Sequence, residues 1–494
     1  MNLSSRMVGV RWALVLAALY AVAAALRLML LDGPLYGDEA VQYAFSRHWG
    51  ADPDNVVPVY RLNGPLWWGR PVFPLILSPG AALGIEAFRV EHALLASLLP
   101  VLIAELVRRC GATPVLAAGA GLVAAIHPSF VLWGARVFPD SVMACLVIGG
   151  LLAHVRRRPL AAAGLLLAAV WAKETAALAL VGLLAWTAWT GMRQRQVRLW
   201  PVKLEKSSTA LLGACLLAPW PLAYAIVELE GRIPGWSTTA LDWSHLSGLF
   251  ASAWLLVPLL VGLAWARSRP WSALALVYPA FYVSYAATGH GVEAWYLVLP
   301  AALSVIGAAI ALDTGARQTA PLWRSASRVA AAVLATAILA IAVVPDTIAM
   351  KEVATPGAPP AMSLAQLSQN LQGDDLAEAV SAIRVDQWNS VLLADVGWFN
   401  VHYPFAERAD TVGWAYTAGD IPLEDWARAI ENSSVTVLLK NDGPVNRALQ
   451  ATYSHCMQFE NASYLLLAGP VCLGRAESLG QESWTASDGR ISSG

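Results

Sequence analysis

Leu35-Tyr36-Gly37-Asp38-Glu39-Ala40-Val41-Gln42-Tyr43 sets two adjacent carboxylates just past an apolar run that ends at Leu31. Gly37 interrupts what precedes it and an aspartate favours a helix start, so Asp38 can open a short helix. Glu39 and Tyr43 then share one face at i, i+4 spacing, with Gln42 beside them. Taken alone, such a pair also reads as a solvated helix cap. Its meaning depends on whether the run before it crosses a membrane, and on which other charges lie on the same side.

Composition answers the first question. Of 494 residues, 57% are hydrophobic and 14% are charged, whereas a soluble domain carries about a quarter charged residues. The chain therefore reads as a polytopic membrane protein, surrounded by membrane lipids. Its net charge of −1 says nothing for nucleic acid, which is not among the expected partners. Arg6 and Arg11 precede the first apolar run. Ala21-Val22-Ala23 imitates a signal-peptidase site, but the run continues past it, so an uncleaved first transmembrane helix is expected.

Apolar runs read against basic loops give about eleven spans, at approximately residues 12–31, 88–107, 112–134, 139–154, 159–174, 176–190, 208–227, 249–266, 271–287, 294–312 and 328–345. Alternate loops separate by sign. One side collects Arg6 and Arg11, Arg108 and Arg109, Arg156 to Arg158, the run from Arg193 to Lys206, Arg267 and Arg269, and Arg317 to Arg328. The other collects Asp32, Asp38, Glu39, Asp52, Asp54, Asp140, Glu174, Glu228, Glu230, Asp242 and Glu293. The positive-inside rule makes the first side cytoplasmic, which predicts a multi-pass plasma-membrane protein with its N-terminus inside and its C-terminal part outside.

Residues 1–350 are expected to form the membrane domain. The first outer loop, residues 32–87, is half apolar and reads as interfacial helices anchored by Trp67 and Trp68. Residues 351–480 change character. Strand-like runs at Val391–Ala394, Val435–Leu439 and Tyr464–Leu467 alternate with helix candidates at Asp374–Ile383 and Leu423–Ile430, which predicts a small α/β domain. Cys456 and Cys472 lie in it and can pair if it faces an oxidising compartment. Asn432-Ser433-Ser434 and Asn461-Ala462-Ser463 match the short glycosylation-acceptor pattern. Residues 481–494, rich in Ser and Gly, read as a disordered tail.

Charged side chains at span ends are costly and need a reason. On this topology the outer face gathers Asp38, Glu39, Arg61, Arg70, Arg136, Asp140, Lys173, Glu174, His290, Glu293 and Tyr296. Group transfer from a phosphate leaving group needs such a mixture. A carboxylate takes the proton of the attacking hydroxyl or amine, and cations stabilise charge growing on the phosphate. Asp38, Glu39 and Asp140 are the candidate catalytic carboxylates. Arg61, Arg70, Arg136 and Lys173 are candidate phosphate binders, with Tyr43, His290, Glu293 and Tyr296 around them. Each has a plainer alternative. Asp140 can pair with Arg136 across one helical turn, Arg70 and Lys173 can be snorkelling cations, and His290 can be a solvated loop residue. His127, before Pro128, reads as a satisfied residue of the bundle interior.

The same residues resemble a family. Arg27-Leu28-Met29-Leu30-Leu31 leading to Asp38-Glu39 and Tyr43 resembles the first outer loop of the GT-C glycosyltransferases that use polyprenyl-phosphate sugars. That group includes the protein O-mannosyltransferases and the lipid A aminoarabinose transferases. Trp68-Gly69-Arg70-Pro71 is similar to the aminoarabinose transferases' aromatic, acidic, Lys-Pro element, with Arg70 in place of the lysine and Gly69 in place of the acid. These two departures put a lipid A acceptor in doubt, although arginine still binds phosphate. Arg136-Val137-Phe138-Pro139-Asp140 resembles the second outer-loop motif, Ala172-Lys173-Glu174 a Thr-Lys-Gly element, and Trp295-Tyr296-Leu297-Val298-Leu299-Pro300 a late Tyr-Leu-Leu-Pro signature. The likeness extends to about residue 312.

The resemblance implies a mainly α, GT-C-type bundle. It implies a polyprenyl-monophosphate sugar donor, Asp38 as base, inversion at the anomeric carbon, and a protein, glycolipid or polysaccharide acceptor. The residue pattern carries no convincing metal cluster and leaves a divalent metal unsupported. Two other classes compete. A secondary transporter would place its ionisable residues near the bilayer midplane in repeated halves, and a non-catalytic envelope scaffold would not need Asp38.

Overall fold

Leu3–Leu28 form the first helix, α1, with Arg27 in its last turn. The structure, a computed structural model, describes residues 3–31, 71–180, 294–318, 390–394, 411–415, 435–440, 444–460 and 464–468, with single positions at 39, 42, 43, 46, 47, 182, 183, 278, 281, 382 and 383. The chain divides into two units, Met1–Trp49 with Pro65–Ala361 and Gly50–Gly64 with Met362–Gly494. The expected spans between residues 208 and 287, the span at 328–345, Trp67, Trp68, Cys472 and the helix candidate Leu423–Ile430 lie outside the described residues.

In the first unit, α2 (Val72–Leu83), α3 (Ile85–Ala96) and α4 (Leu98–Arg109) are followed by α5 (Pro114–Ile126), α6 (Pro128–Ala135), α7 (Pro139–Val155), α8 (Pro159–Ala172) and α9 (Val298–Gln318). The four helices α5 to α8 each open on proline. Proline suits the first helical position because its φ is already helical and the N–H it lacks would have no intrahelical acceptor. Thr113 caps α5 by accepting from the Leu116 N–H, and its own N–H donates to Asp313 Oδ1 of α9 at 3.1 Å. The α7 helix closes on Arg157, a non-glycine residue at φ 58°, and Pro159 then starts α8.

The expected span at 112–134 is broken. Pro128 holds His127 in an extended conformation, as residues before proline prefer, and α5 and α6 meet at 54°. The His127 ring is buried, and its Nδ1 accepts from the Ser129 N–H at 3.3 Å, so the side chain caps the second half. Among the described residues, Gly9–Leu28 and Ile85–Arg109 are long and apolar enough to cross a membrane, and the bent α5–α6 pair passes the same test only when its two halves are taken together.

Pro79 lies inside α2, where it removes one backbone donor. Ser78 Oγ donates to the Leu75 carbonyl at 2.9 Å, the Gly80 N–H donates to Glu91 Oε2 of α3 at 2.8 Å, and Arg47 Nη1 donates to the Ala81 carbonyl at 3.0 Å. Gly80 is required here, because a Cβ at that position would stand 2.9 Å from the Ala87 carbonyl oxygen.

The core centres on α7, which packs against α8, α4 and α9 and buries Met143, Ala144, Val147, Ile148 and Leu151. Glycines allow close approach: Gly121 of α5 faces Leu19 and Ala104, and Gly150 of α7 faces Leu166. At the end of α4, buried Glu105 accepts five hydrogen bonds from four side chains. Arg108 Nε and Nη2 donate at 2.9 Å, Arg109 Nε and Trp12 Nε1 at 2.8 Å, and Arg156 Nη2 at 2.7 Å.

The second unit holds a five-stranded sheet in the order β2-β1-β3-β5-β4. Its strands are β1 (Ser390–Ala394), β2 (Thr411–Ala415), β3 (Val435–Lys440), β4 (Met457–Glu460) and β5 (Tyr464–Ala468), and helix α10 (Pro444–Tyr453) follows β3. β1 runs parallel to both β2 and β3, and β5 is antiparallel to β3 and β4. The three strand-like runs of the sequence lie on β1, β3 and β5. Val437, Leu438 and Leu465 to Leu467 are buried, as continuous apolar strands at a sheet centre should be. Cys456 is buried and disulfide-bonded.

Candidate functional site

The segment Arg136-Val137-Phe138-Pro139-Asp140 links α6 to α7. Pro139 at the first helical position leaves Phe138 extended at φ −117° and ψ 144°, and Arg136 is extended as well. Residues 136 and 140 therefore do not lie on one helical turn. The Arg136–Asp140 pair that i, i+4 spacing allowed is replaced by two pairs reaching in different directions.

Arg136 meets Glu39. Its Nη1 donates to Glu39 Oε2 at 3.0 Å, and both side chains are buried, at 1% and 0% exposure. The other oxygen, Oε1, accepts the Val137 N–H at 3.0 Å and lies 3.5 Å from Arg89 Nε of α3. Both oxygens of Glu39 are thus engaged by protein. Arg89 also donates from Nη1 to the Leu31 carbonyl, where the chain leaves α1.

Asp140 meets Lys173. The ammonium lies 2.6 Å from Oδ1 and 2.7 Å from Oδ2, with both side chains buried. Asp140 sits in the first turn of α7, where the helix dipole favours an anion. Lys173 is extended, just past the end of α8, and Glu174–Ala176 form a short 3-10 turn after it. The Tyr278 hydroxyl donates to the Thr175 carbonyl at 3.1 Å, and Thr175 Oγ1 lies 3.4 Å from Met143 Sδ. The Lys173 ammonium stands 4.1 Å from the centre of the Tyr296 ring, within cation–π range.

Each pair is costly to assemble in a low-dielectric interior and costly to break once formed. Together they fix the position of the 136–140 segment. Tyr43 is fully buried and packs edge-on against Phe88 at 5.3 Å, beside Arg89. Of the candidate catalytic and binding residues, Glu39, Tyr43, Arg136, Asp140, Lys173 and Tyr296 are described, and Glu39, Arg136, Asp140, Lys173 and Tyr296 are joined through this segment. Asp38, Arg61, Arg70, His290 and Glu293 lie outside the described residues.

Three further polar residues support the site. Arg89 and buried His92 stand at the start of the span expected at 88–107, where two ionisable groups in an apolar run were the signal to notice. His92 Nε2 lies 3.1 Å from the Phe138 carbonyl oxygen. Arg27 is buried in α1 and donates from Nη1 to the Ala23 carbonyl at 3.0 Å and from Nη2 to the Phe130 carbonyl at 2.8 Å. Its guanidinium fills the place where a side chain at Gly134 would begin. Among the described residues no group of three or more His, Cys, Asp or Glu side chains could hold a metal ion.

The fold is that of the GT-C membrane glycosyltransferases. In particular the chain is similar to the aminoarabinose transferase ArnT from Cupriavidus metallidurans bound to undecaprenyl phosphate, with a TM-score of 0.53 and 16% identity over 93% of this chain and 98% of that one. The apo state of the same transferase gives a TM-score of 0.51 and 16% identity over 94% and 99%. At this identity the likeness establishes fold. No protein-family model matches the sequence, and the comparison with curated proteins finds no match.

Proposed function

We propose that the chain is an integral-membrane glycosyltransferase that moves a sugar from a polyprenyl monophosphate to an acceptor outside the cytoplasm. The observation that carries this reading is the convergence of the Glu39–Arg136 and Asp140–Lys173 pairs on one short segment, with Glu39 next in sequence to Asp38. The lipid phosphate bound by the ArnT structure supports a donor of the same chemical class.

In this reading Asp38 takes the proton from the acceptor hydroxyl or amine. The acceptor forms its bond to the anomeric carbon as the bond from that carbon to the phosphate oxygen breaks. The electron pair leaves with the lipid phosphate, and the configuration inverts. Arg70 and Lys173 meet the growing phosphate charge. Arg136, held by Glu39, organises the 136–140 segment. Asp140 holds Lys173 in place, next to the Tyr296 ring. Arg61, His290, Glu293 and Tyr43 complete the surroundings of the donor and acceptor. Residues 1–350 form the membrane domain with its outer loop at 32–87, residues 351–480 an extracytoplasmic α/β domain, and residues 481–494 a tail. About eleven spans place the N-terminus inside.

The test is Asp38→Asn in purified protein reconstituted with undecaprenyl phosphate. Donor-lipid binding is expected to stay within about twofold of the wild type, while turnover with the identified sugar donor falls by at least about a hundredfold. The acceptor class is first found by mass spectrometry of glycans missing from a deletion strain. Unchanged turnover in Asp38→Asn overturns the assignment of the base. Substrate flux across sealed vesicles without covalent product supports the transporter class instead.

A further inference from the structure

The backbone of the 136–140 segment is held in part by side chains distant in sequence. The Arg136 N–H closes α6 on the Leu132 carbonyl at 3.1 Å, and Pro139 has no N–H. The Phe138 N–H reaches back only two residues, to the Arg136 carbonyl at 2.9 Å. A three-residue turn of this kind is a weak local structure. Two groups of the segment meet distant side chains: the Val137 N–H, and the Phe138 carbonyl, which as that of the N-cap residue also opens the first turn of α7. Glu39 Oε1 takes the first at 3.0 Å, and His92 Nε2 faces the second at 3.1 Å. A carbonyl oxygen only accepts, so the Nε2 of His92 carries the proton.

We propose that His92 is a positioning residue of the site: its Nε2–H holds the Phe138 carbonyl, and through it sets where Asp140 meets Lys173. His92 is fully buried and belongs to α3, and its ring also stands edge-on to Phe73 of α2 at 6.2 Å. It therefore joins the helix that follows Arg70-Pro71 to the loop that delivers Asp140. An apolar residue would pack in this place at lower desolvation cost, and the Phe138 carbonyl accounts for a polar one. The proposal rests on the glycosyl-transfer reading only for its turnover arm.

The experiment uses the full-length protein in lipid nanodiscs and measures amide hydrogen exchange by mass spectrometry in His92→Gln, His92→Asn and His92→Leu. Glutamine puts an N–H donor near the place of Nε2, and asparagine does not reach it. The Val137 and Phe138 amides in His92→Gln are expected to exchange within about twofold of the wild type, and in His92→Asn and His92→Leu about tenfold or more faster. Amides of residues 143–151, inside α7, should not change. Asparagine behaving like glutamine overturns the proposal, as does a leucine variant as protected as the wild type. If His92→Leu does not fold, the comparison of the two amides decides. Where wild-type sugar transfer is measurable, kcat should fall in the same order while the donor KM holds. An unchanged kcat in His92→Asn despite an opened loop also overturns it. A wild type that transfers no sugar counts against the functional reading alone and leaves the exchange result standing.

Discussion

Glu39 and Arg136 stand 97 positions apart in the chain and 3.0 Å apart in the fold, with neither side chain more than 1% exposed. Removing one member strands the other charge in the interior, whereas removing both ends that mismatch and leaves only Arg89 and the Val137 N–H without Glu39. Glu39→Gln and Arg136→Met should each lower stability by about 3 kcal/mol. The double variant should recover about 1–2 kcal/mol of the summed loss. Denaturation of the purified protein in detergent measures all four corners of the cycle. Strict additivity would show that the pair is not coupled.

Lys173 is held from two sides, by Asp140 and by the Tyr296 ring. Tyr296→Phe keeps the ring face and should leave stability and turnover close to the wild type. Tyr296→Leu removes it and should cost about 1–2 kcal/mol in this buried setting. Lys173→Arg keeps the charge but puts a planar fork where a compact ammonium sits between both carboxylate oxygens, so it should not restore what Lys173→Met loses. Thermal denaturation and turnover, measured side by side, separate the two effects.

Among the described residues of the first unit, several helix positions were legible from apolar runs, because burial follows from the solvent each residue must face. The ends of α7 and α8 fall within a residue or two of the spans expected at 139–154 and 159–174, since prolines and arginines mark them. Partner choice was less legible. Spacing alone allowed Arg136 to face Asp140, yet Phe138-Pro139 already forbade one continuous turn, because a residue before proline is driven out of the helical region. His92 and Arg89 stand out as ionisable groups in an apolar run, but the sequence does not show their partners, the Phe138 and Leu31 carbonyls, which lie 46 and 58 positions away. β2 and β4 escaped for a related reason. Thr411–Ala415 contains a glycine and Met457–Glu460 is short and half polar, so each becomes a strand only through its neighbour in the sheet.

Gly134 is dictated by Arg27. A methyl group at 134 would overlap the guanidinium, which carbonyls at residues 23 and 130 already hold. Gly134→Ala should destabilise the protein by about 2–3 kcal/mol. Adding Arg27→Met should return part of that loss, because the obstructing group is gone. Full tolerance of alanine at 134 would show that Arg27 has another place to go.

Glu105 lies 13 residues beyond His92, about 20 Å further along the α3–α4 segment Ile85–Arg109 by helix rise. Its three arginines are 31% to 47% exposed, so water screens much of their mutual repulsion. Glu105→Ala should therefore cost only about 1–2 kcal/mol. Turnover per folded molecule should be unchanged, which distinguishes this cluster from the Glu39 and Asp140 pairs. A parallel loss of turnover would mean that the two ends of the helix are coupled.

The proline inside α2 has a mechanical consequence. Because Gly80 and Ala81 lend their main-chain groups to Glu91 and Arg47, the helix after Arg70-Pro71 is latched to its neighbours by bonds that must find replacements before it can swing away. In hydrocarbon no replacement exists and the latch holds; where water enters, each bond can be exchanged at little cost. The same two bonds therefore hold this helix more firmly in an apolar surround than in a wet one.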